Sequence, residues 1–155
     1  CIRDRGYFGP GWLPSSLVRV IPNASLYVFG VLSSAMHQAW VDGVSGRMKS
    51  DYRYSIHIVY NNFPWPQRGE AEAKERIEAA ARRVLEARAL FADRVLGELY
   101  GPTLPAPLEQ AHRELDEAVD NAYLYSDLPE GRLAFLLSAY QATIAKGDRV
   151  GVEKP

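Results

Sequence analysis

The stretch SLYVFGVLSSAMHQAWVDGVS, residues 25–45, decides how the first part of the chain folds. Its large apolar residues recur every three or four positions, the spacing of one helix face, at Leu26, Phe29, Leu32, Met36 and Trp40. Ser25 is suited to cap the start of a helix, and Gly46 is suited to end it. These residues predict a helix over most of the stretch, which Ser33-Ser34 can bend or divide.

One short strand is predicted on each side of this helix. Residues 17–21 are mostly β-branched and apolar and stop at Pro22, which cannot continue a sheet ladder. Residues 54–60 alternate in polarity, so that Ile56, Ile58 and Tyr60 would lie on one face of a strand. Pro64 and Pro66 then close the region, so we place a boundary near residue 66.

The remainder of the chain is predicted to be helical. Apolar residues recur at helical spacing over residues 70–91, 106–124 and 128–146, and a Gly/Pro-rich stretch separates the first two helices. Asp127 and Glu130 have the spacing of a capping box before the last helix. That helix is expected to bury Leu133, Leu136, Leu137, Tyr140 and Ile144. The predicted fold class is α+β and predominantly helical, with a small mixed region of short strands followed by a C-terminal helical bundle.

Charge is distributed unevenly along the 155 residues. The chain as a whole carries −1, but residues 1–66 hold six basic and three acidic side chains and residues 67–155 hold twelve and sixteen. Eleven of the 17 aromatic residues also fall in the first part. A basic, aromatic-rich front and an acidic, helical back predict two modules, residues 1–66 and 67–155, with different roles.

Composition places the protein among globular chains of the cytoplasm. No apolar run is long enough to span a membrane, and the amino terminus lacks the pattern of a signal peptide. Cys1 is the only cysteine, which excludes an internal disulfide and is typical of a cytoplasmic protein. The chain begins with Cys1 rather than methionine, so we expect it to be a segment excised from a longer protein.

The stretch GRMKSDYRY, residues 46–54, is the strongest candidate for ligand contact. It brings together three cations, a hydroxyl, one acid and two tyrosines, and the candidate residues are Arg47, Lys49, Ser50, Tyr52, Arg53 and Tyr54. Arginine and lysine neutralise DNA phosphates, serine can donate to a phosphate oxygen, and arginine can also read guanine. The alternative is a solvated loop whose tyrosines pack on the core.

Other constellations give little support for catalysis. Residues 61–66, NNFPWP, are reminiscent of the Asn-Pro-Pro-aromatic motif of amino-methyltransferases, but they lack its adjacent prolines, and no upstream Gly-rich turn offers a cofactor site. His112, Asp116 and Asp120 share a helix face. Without a second His or Cys, they are better interpreted as a polar stripe held by local hydrogen bonds than as a metal site. His37 is predicted to be structural, and we predict no catalytic or metal-binding residue.

Several ordered blocks resemble the MmeI-like type IIL (type IIG) restriction-modification enzymes of bacteria. Residues 21–34, 36–40, 46–55 and 59–66 resemble blocks of their target recognition domain. Residues 99–123 resemble blocks of their helical C-terminal domain.

The resemblance implies that the intact enzyme is an adenine-specific DNA methyltransferase. It would transfer a methyl group from S-adenosylmethionine to adenine N6, and family members often also cut DNA, for which Mg²⁺ would be required. This chain would itself hold no cofactor and be inactive alone. Its expected partners are double-stranded DNA and the upstream methyltransferase domain of the same polypeptide. The competing hypothesis is a structural packing or interaction module with little DNA contact of its own.

Overall fold

Ser34 divides the first predicted helix into two. The structure, a computed structural model, describes residues 3–9, 11–12, 18–49, 51–66, 71–126 and 131–146. Helix α1 spans Leu26–Ser33 and α2 spans Ala35–Val44. Ser34 has an extended backbone, and its hydroxyl oxygen accepts from the His37 amide at 3.4 Å, so it ends one helix and caps the next.

A small antiparallel hairpin follows α2. Strand β1 spans Gly46–Met48 and β2 spans Asp51–Arg53. These strands lie before the region in which the sequence predicted one, and residues 54–60 are not a strand. The backbone instead forms a π-helix, Ile56–Tyr60, because the Ser55 hydroxyl caps it and the Asn61 amide donates to the Ile56 carbonyl at 2.8 Å.

The alternation of faces predicted for this segment is therefore also absent, since Ile56, His57 and Ile58 are all exposed. Ile56 and Ile58 are 40% and 54% exposed, whereas Val59, the next residue along the chain, is fully buried. The Trp40 indole nitrogen donates to the Val59 carbonyl at 2.9 Å and fixes the π-helix against α2. The other predicted strand is also wrong in its described part, since residues 18–21 form no strand and their apolar side chains are exposed.

The C-terminal part is helical, as predicted. It contains α3, α4, α5 and α6, at Ala71–Ala89, Leu96–Leu99, Ala106–Tyr123 and Gly131–Ala145. The short α4 was not predicted. The capping pair predicted at Asp127 and Glu130 lies outside the described residues. On α6, Leu136 is buried as predicted, but Leu137 and Ile144 are 40% and 52% exposed because α6 packs on the molecule mainly through α2.

The helices before and after residue 66 share one hydrophobic core. Helix α1 packs against α3 and α5, and α3 packs along α5. Gly30 permits the close approach, since a Cβ there would lie 2.8 Å from the Ile77 Cγ2 and 3.2 Å from the Ala81 Cβ. The predominantly helical α+β fold is confirmed. The division at residue 66 stays a prediction.

Candidate nucleic-acid interface

The candidate DNA-contacting stretch forms the hairpin of β1 and β2. Arg47 lies opposite Tyr52, Met48 lies opposite Asp51, and a two-residue connection joins the strands. Lys49 is in the left-handed region, with a φ of 56°, as tight hairpin turns require. Ser50, the other connecting residue, lies outside the described residues.

The three cations of the hairpin are all exposed and lie on different sides of it. Directly opposed residues share a face and successive pairs alternate, so Arg47 and Tyr52 face one way and Arg53 faces the other. Lys49 lies at the tip. Within the described residues, neither Lys49 nor Arg53 takes part in an ion pair. Positive charge is therefore presented on both faces and at the tip.

Tyr52 connects the hairpin to the end of α2. Its hydroxyl donates to a carboxylate oxygen of Asp42, and the same oxygen accepts from the Gln38 amide nitrogen at 2.9 Å. The hydrogen bond to Asp42 raises the pKa of Tyr52 above its usual value. The Arg47 guanidinium carbon lies over the face of the ring, 4.4 Å from the ring centre. An Arg47 nitrogen is also 3.4 Å from the hydroxyl oxygen.

Tyr54 anchors the hairpin in the core. Its hydroxyl is 3.0 Å from Nε2 of the fully buried His37, and the His37 ring meets the edge of Phe63 at a centroid distance of 4.5 Å. Burial raises the pKa of Tyr54 to about 12 and lowers the pKa of His37 well below its usual value. Both groups are therefore neutral at pH 7, and His37 is structural as predicted.

The aromatic residues of the stretch 61–66 have a structural role in the core. Phe63 and Trp65 are buried, which leaves neither ring free to stack on an extruded base, and the Tyr123 hydroxyl donates to the Pro64 carbonyl at 2.8 Å. His57 is exposed on the π-helix. In the described parts of the chain, no group of His, Cys, Asp or Glu side chains could hold a metal ion.

The stripe on α5 does not depend on local hydrogen bonds, contrary to the prediction. Its three polar residues bind other elements: His112 lies 2.5 Å from the Tyr100 hydroxyl, Asp116 pairs with Arg3, and Asp120 pairs with Arg132. Tertiary packing brings these partners to α5, which local spacing cannot reveal.

Arg88 is a buried residue that the sequence reasoning missed. It lies on α3 and donates to the carbonyl oxygens of Arg3 and Arg5 and to the Tyr100 hydroxyl, at 2.6 to 3.0 Å. Its guanidinium carbon is also 5.3 Å from the centre of the Phe29 ring. The available signal was its position four residues after Val84, which puts a charge on the apolar stripe of the helix.

No helix within the described ranges is both long and apolar enough to cross a membrane. The cations of the hairpin are exposed, whereas the apolar faces of the helices are buried in the core.

Comparison with known proteins assigns each part of the chain to a family domain. Residues 5–67 match the family described as "MmeI, target recognition domain", and residues 69–146 match "MmeI, C-terminal domain". A DNA methyltransferase A of Bacillus subtilis (strain 168) is 41% identical over 139 residues, which cover 88% of this chain and 16% of the relative.

A solved structure agrees in fold as well as sequence. It is described as the type IIL restriction-modification enzyme MmeI in complex with DNA, and it matches with a TM-score of 0.76 and 43% identity. The match covers 81% of this chain and 17% of that one, so the chain spans about a sixth of the length of the relatives it matches. The chain therefore belongs to the MmeI-like type IIL restriction-modification family, whose target recognition and C-terminal domains its residues match.

Proposed function

We propose that this chain is a DNA-recognition and supporting segment of a site-specific DNA methyltransferase, and that the β1–β2 hairpin contacts duplex DNA. The observation that carries the proposal is the exposure of Arg47, Lys49 and Arg53 on two faces and the tip of one hairpin. The membership in a family with a target recognition domain, and the DNA complex of the relative MmeI, support it.

The geometry of the hairpin suits a DNA groove. A two-stranded β-ribbon fits the major groove, where side chains on its two faces can approach opposite backbones. Arg47, Lys49 and Arg53 would bind phosphates, with one arginine able to reach a base edge. Ser50, Tyr52 and Tyr54 would orient the hairpin, and the contacts of Tyr52 and Tyr54 with α2 are consistent with that role.

The chemistry of the larger enzyme lies outside these contacts. By family resemblance it would methylate adenine N6 with S-adenosylmethionine, use Mg²⁺ if it also cleaves DNA, and act in the cytoplasm. The described residues offer no metal-binding group, and we assign them no catalytic step. The upstream methyltransferase domain would be the intramolecular partner of this segment.

A structural role for the helical tail is the second candidate and is compatible with the first. Helices α3 and α5 supply much of the core against which α1 packs, and Arg88 and Asp116 hold the N-terminal residues. We propose that the tail braces the recognition part and contributes few DNA contacts itself.

Fluorescence anisotropy with a labelled duplex of about 30 base pairs, at several salt concentrations, tests the DNA proposal. Replacing Arg47 and Lys49 by Ala should weaken binding and reduce the salt slope by about one to two units. The slope falls because a protein that neutralises fewer phosphates releases fewer counterions when it binds. The matched control replaces Arg76 and Arg82, two exposed arginines of α3, and removes the same charge elsewhere.

The assignment is supported if the Arg47/Lys49 variant binds DNA more weakly while the Arg76/Arg82 control binds it as well as the original chain. Equal losses in the two variants would indicate general attraction of charge rather than a hairpin contact. Absence of binding by the original chain at low salt would contradict the proposal.

A further inference from the structure

The end of α2 carries an acid in an electrostatically unfavourable place. Asp42 lies in the last turn of the helix, where the helix dipole disfavours negative charge. It also lies beside the basic hairpin, where it would repel DNA phosphates. The first effect destabilises the helix and the second weakens DNA binding, so the carboxylate must be useful through its contacts.

The contacts lead directly from Asp42 to a proposed DNA-contacting side chain. The carboxylate accepts from the Tyr52 hydroxyl, and the Arg47 guanidinium lies over the Tyr52 ring. Gln38, one turn earlier on α2, donates to the same carboxylate oxygen at 2.9 Å and restrains it. The hydroxyl of Tyr52 is thus held by a helix residue, and the face of its ring is covered by Arg47.

We propose that Asp42 is a positioning residue for DNA contact: through the Tyr52 hydroxyl it holds the ring on which the Arg47 guanidinium is stacked. This inference rests on the proposed function of the hairpin and identifies a residue outside it on which that function depends. A stacked arginine loses less conformational freedom when it binds a phosphate or a base, so a held ring strengthens binding without an additional contact.

The hairpin has a second anchor that makes this role separable from folding. The Tyr54 hydroxyl is hydrogen-bonded to the ring of the buried His37, and this contact does not involve Asp42. Asp42 and Arg47 are exposed, and Tyr52 is half-buried. Removal of the Asp42 carboxylate should therefore leave the hairpin in place and change mainly the freedom of Tyr52 and Arg47.

Two substitutions at one position separate positioning from charge. Asp42→Asn and Asp42→Ala both remove the negative charge, but only asparagine keeps an oxygen that can accept from the Tyr52 hydroxyl. Positioning predicts that the alanine variant binds duplex DNA about two- to tenfold more weakly than the asparagine variant. Simple repulsion of phosphates predicts equal affinities for the two variants, both above that of the original chain.

Tyr52→Phe provides the second arm of the test. It keeps the ring beneath Arg47 but removes the hydroxyl, so the difference between the alanine and asparagine variants should disappear in its presence. A difference that persists in the Phe background would overturn the proposal. Equal binding of the two single variants in the Tyr background would also overturn it.

A measurement without DNA tests the hydrogen bond itself. With ¹³C-labelled tyrosine in the protein, NMR titration should show a lower pKa for Tyr52 in the Asp42→Ala variant than in the original chain. The hydrogen bond to the carboxylate raises this pKa, and the variant lacks it. An unchanged Tyr52 pKa would remove the structural basis of the inference.

The two proposals fail in different ways. If the original chain does not bind the 30-base-pair duplex, the DNA function of the hairpin is wrong and the inference falls with it. If Arg47→Ala binds as well as the original chain, Arg47 makes no DNA contact and the inference is also wrong. If Arg47 matters for binding but the alanine and asparagine variants of Asp42 bind alike, the DNA function stands and only the positioning role is wrong.

Discussion

Arg3 and Asp116 lie 113 positions apart in the sequence, yet one guanidinium nitrogen of Arg3 is 2.6 and 2.7 Å from the two carboxylate oxygens of Asp116. The carboxylate also accepts from the Ala35 amide at 2.7 Å, at the start of α2. An anion is favourable at a helix N-terminus, where the first amides lack helical partners. One side chain of α5 therefore connects the N-terminal residues, α2 and the C-terminal helices.

Replacing Asp116 by Ala should lower the free energy of unfolding by about 1–3 kcal/mol, since it leaves a half-buried arginine and a helix-start amide without their acceptor. Urea denaturation followed by circular dichroism measures the change. Glu72→Ala is the control because its ion pair with Arg76 is exposed and spans one helical turn, and such pairs contribute about 0.5 kcal/mol or less. Comparable losses in both variants would show that the three-way contact of Asp116 has no special effect.

Gly30→Ala should destabilise the protein by about 1–3 kcal/mol, because the new Cβ meets Ile77 at 2.8 Å where three helices converge. Thermal unfolding would show a lower Tm. Gly97→Ala on α4 is the matched control, since a Cβ there meets nothing within 4 Å. That variant should be neutral or slightly stabilised. A tolerated alanine at position 30 would mean that α1 and α3 can move apart at no cost.

Stability should fall as the pH decreases from about 6.5 toward 3, partly because of His112. Burial, followed by the charges of Arg3 and Arg88, lowers the pKa of His112 to about 3. Between this value and the ordinary pKa of about 6.5, the unfolded chain binds a proton that the folded chain does not. The free energy of unfolding therefore decreases as pH falls, by up to about 1.4 kcal/mol per pH unit for this residue.

His112→Gln isolates that contribution, since the variant keeps His37 and His57 but loses the titrating ring. Urea denaturation at several pH values should give a shallower loss of stability for the variant below pH 6.5. Parallel curves for the two proteins would mean that His112 does not titrate differently on folding.

Residues 1–66 should not fold without the helices that follow. The buried face of α1, which includes Val28, Val31 and Leu32, packs against α3 and α5, and truncation would expose it. We expect a 1–66 fragment to show no cooperative thermal transition, whereas residues 1–146 should retain one. A cooperative 1–66 fragment would show that the two predicted modules are independent after all.

The sequence predicted the long helices well because their stripes repeat over several turns. Helix α3 is shorter than the predicted range by one residue at its start and two at its end, and α5 begins where predicted and ends one residue earlier. The division of the first helix falls at Ser34, one of the serines expected to divide it. The strand over residues 54–60 was wrong because the Ser55 cap outweighed a short alternation of apolar residues. The hairpin was not predicted because its turn lacks an Asn-Gly or Asp-Gly pair. Lys49 takes the left-handed conformation that these residues usually supply.

For the candidate site, the sequence predicted the stretch but not its supports. The exposure of Arg47, Lys49 and Arg53 is consistent with the prediction, and their role in DNA contact stays a prediction. Asp42 could not be assigned a role, since its contact with Tyr52 depends on how the hairpin folds back along α2. Arg88 was missed for the same reason, because its partners come from the distant N-terminal residues.

The close helix approach at Gly30 limits how such enzymes can be recombined. A chimaera that exchanges the recognition segment of two relatives at residue 67 would separate Gly30 from Ile77 and Ala81, the side chains that fit against it. Parents that differ at these contacts would yield a hybrid with a gap or a clash in its core, whatever the match of their DNA-contacting residues. A crossover placed so that both sides of this contact come from one parent would keep the core intact.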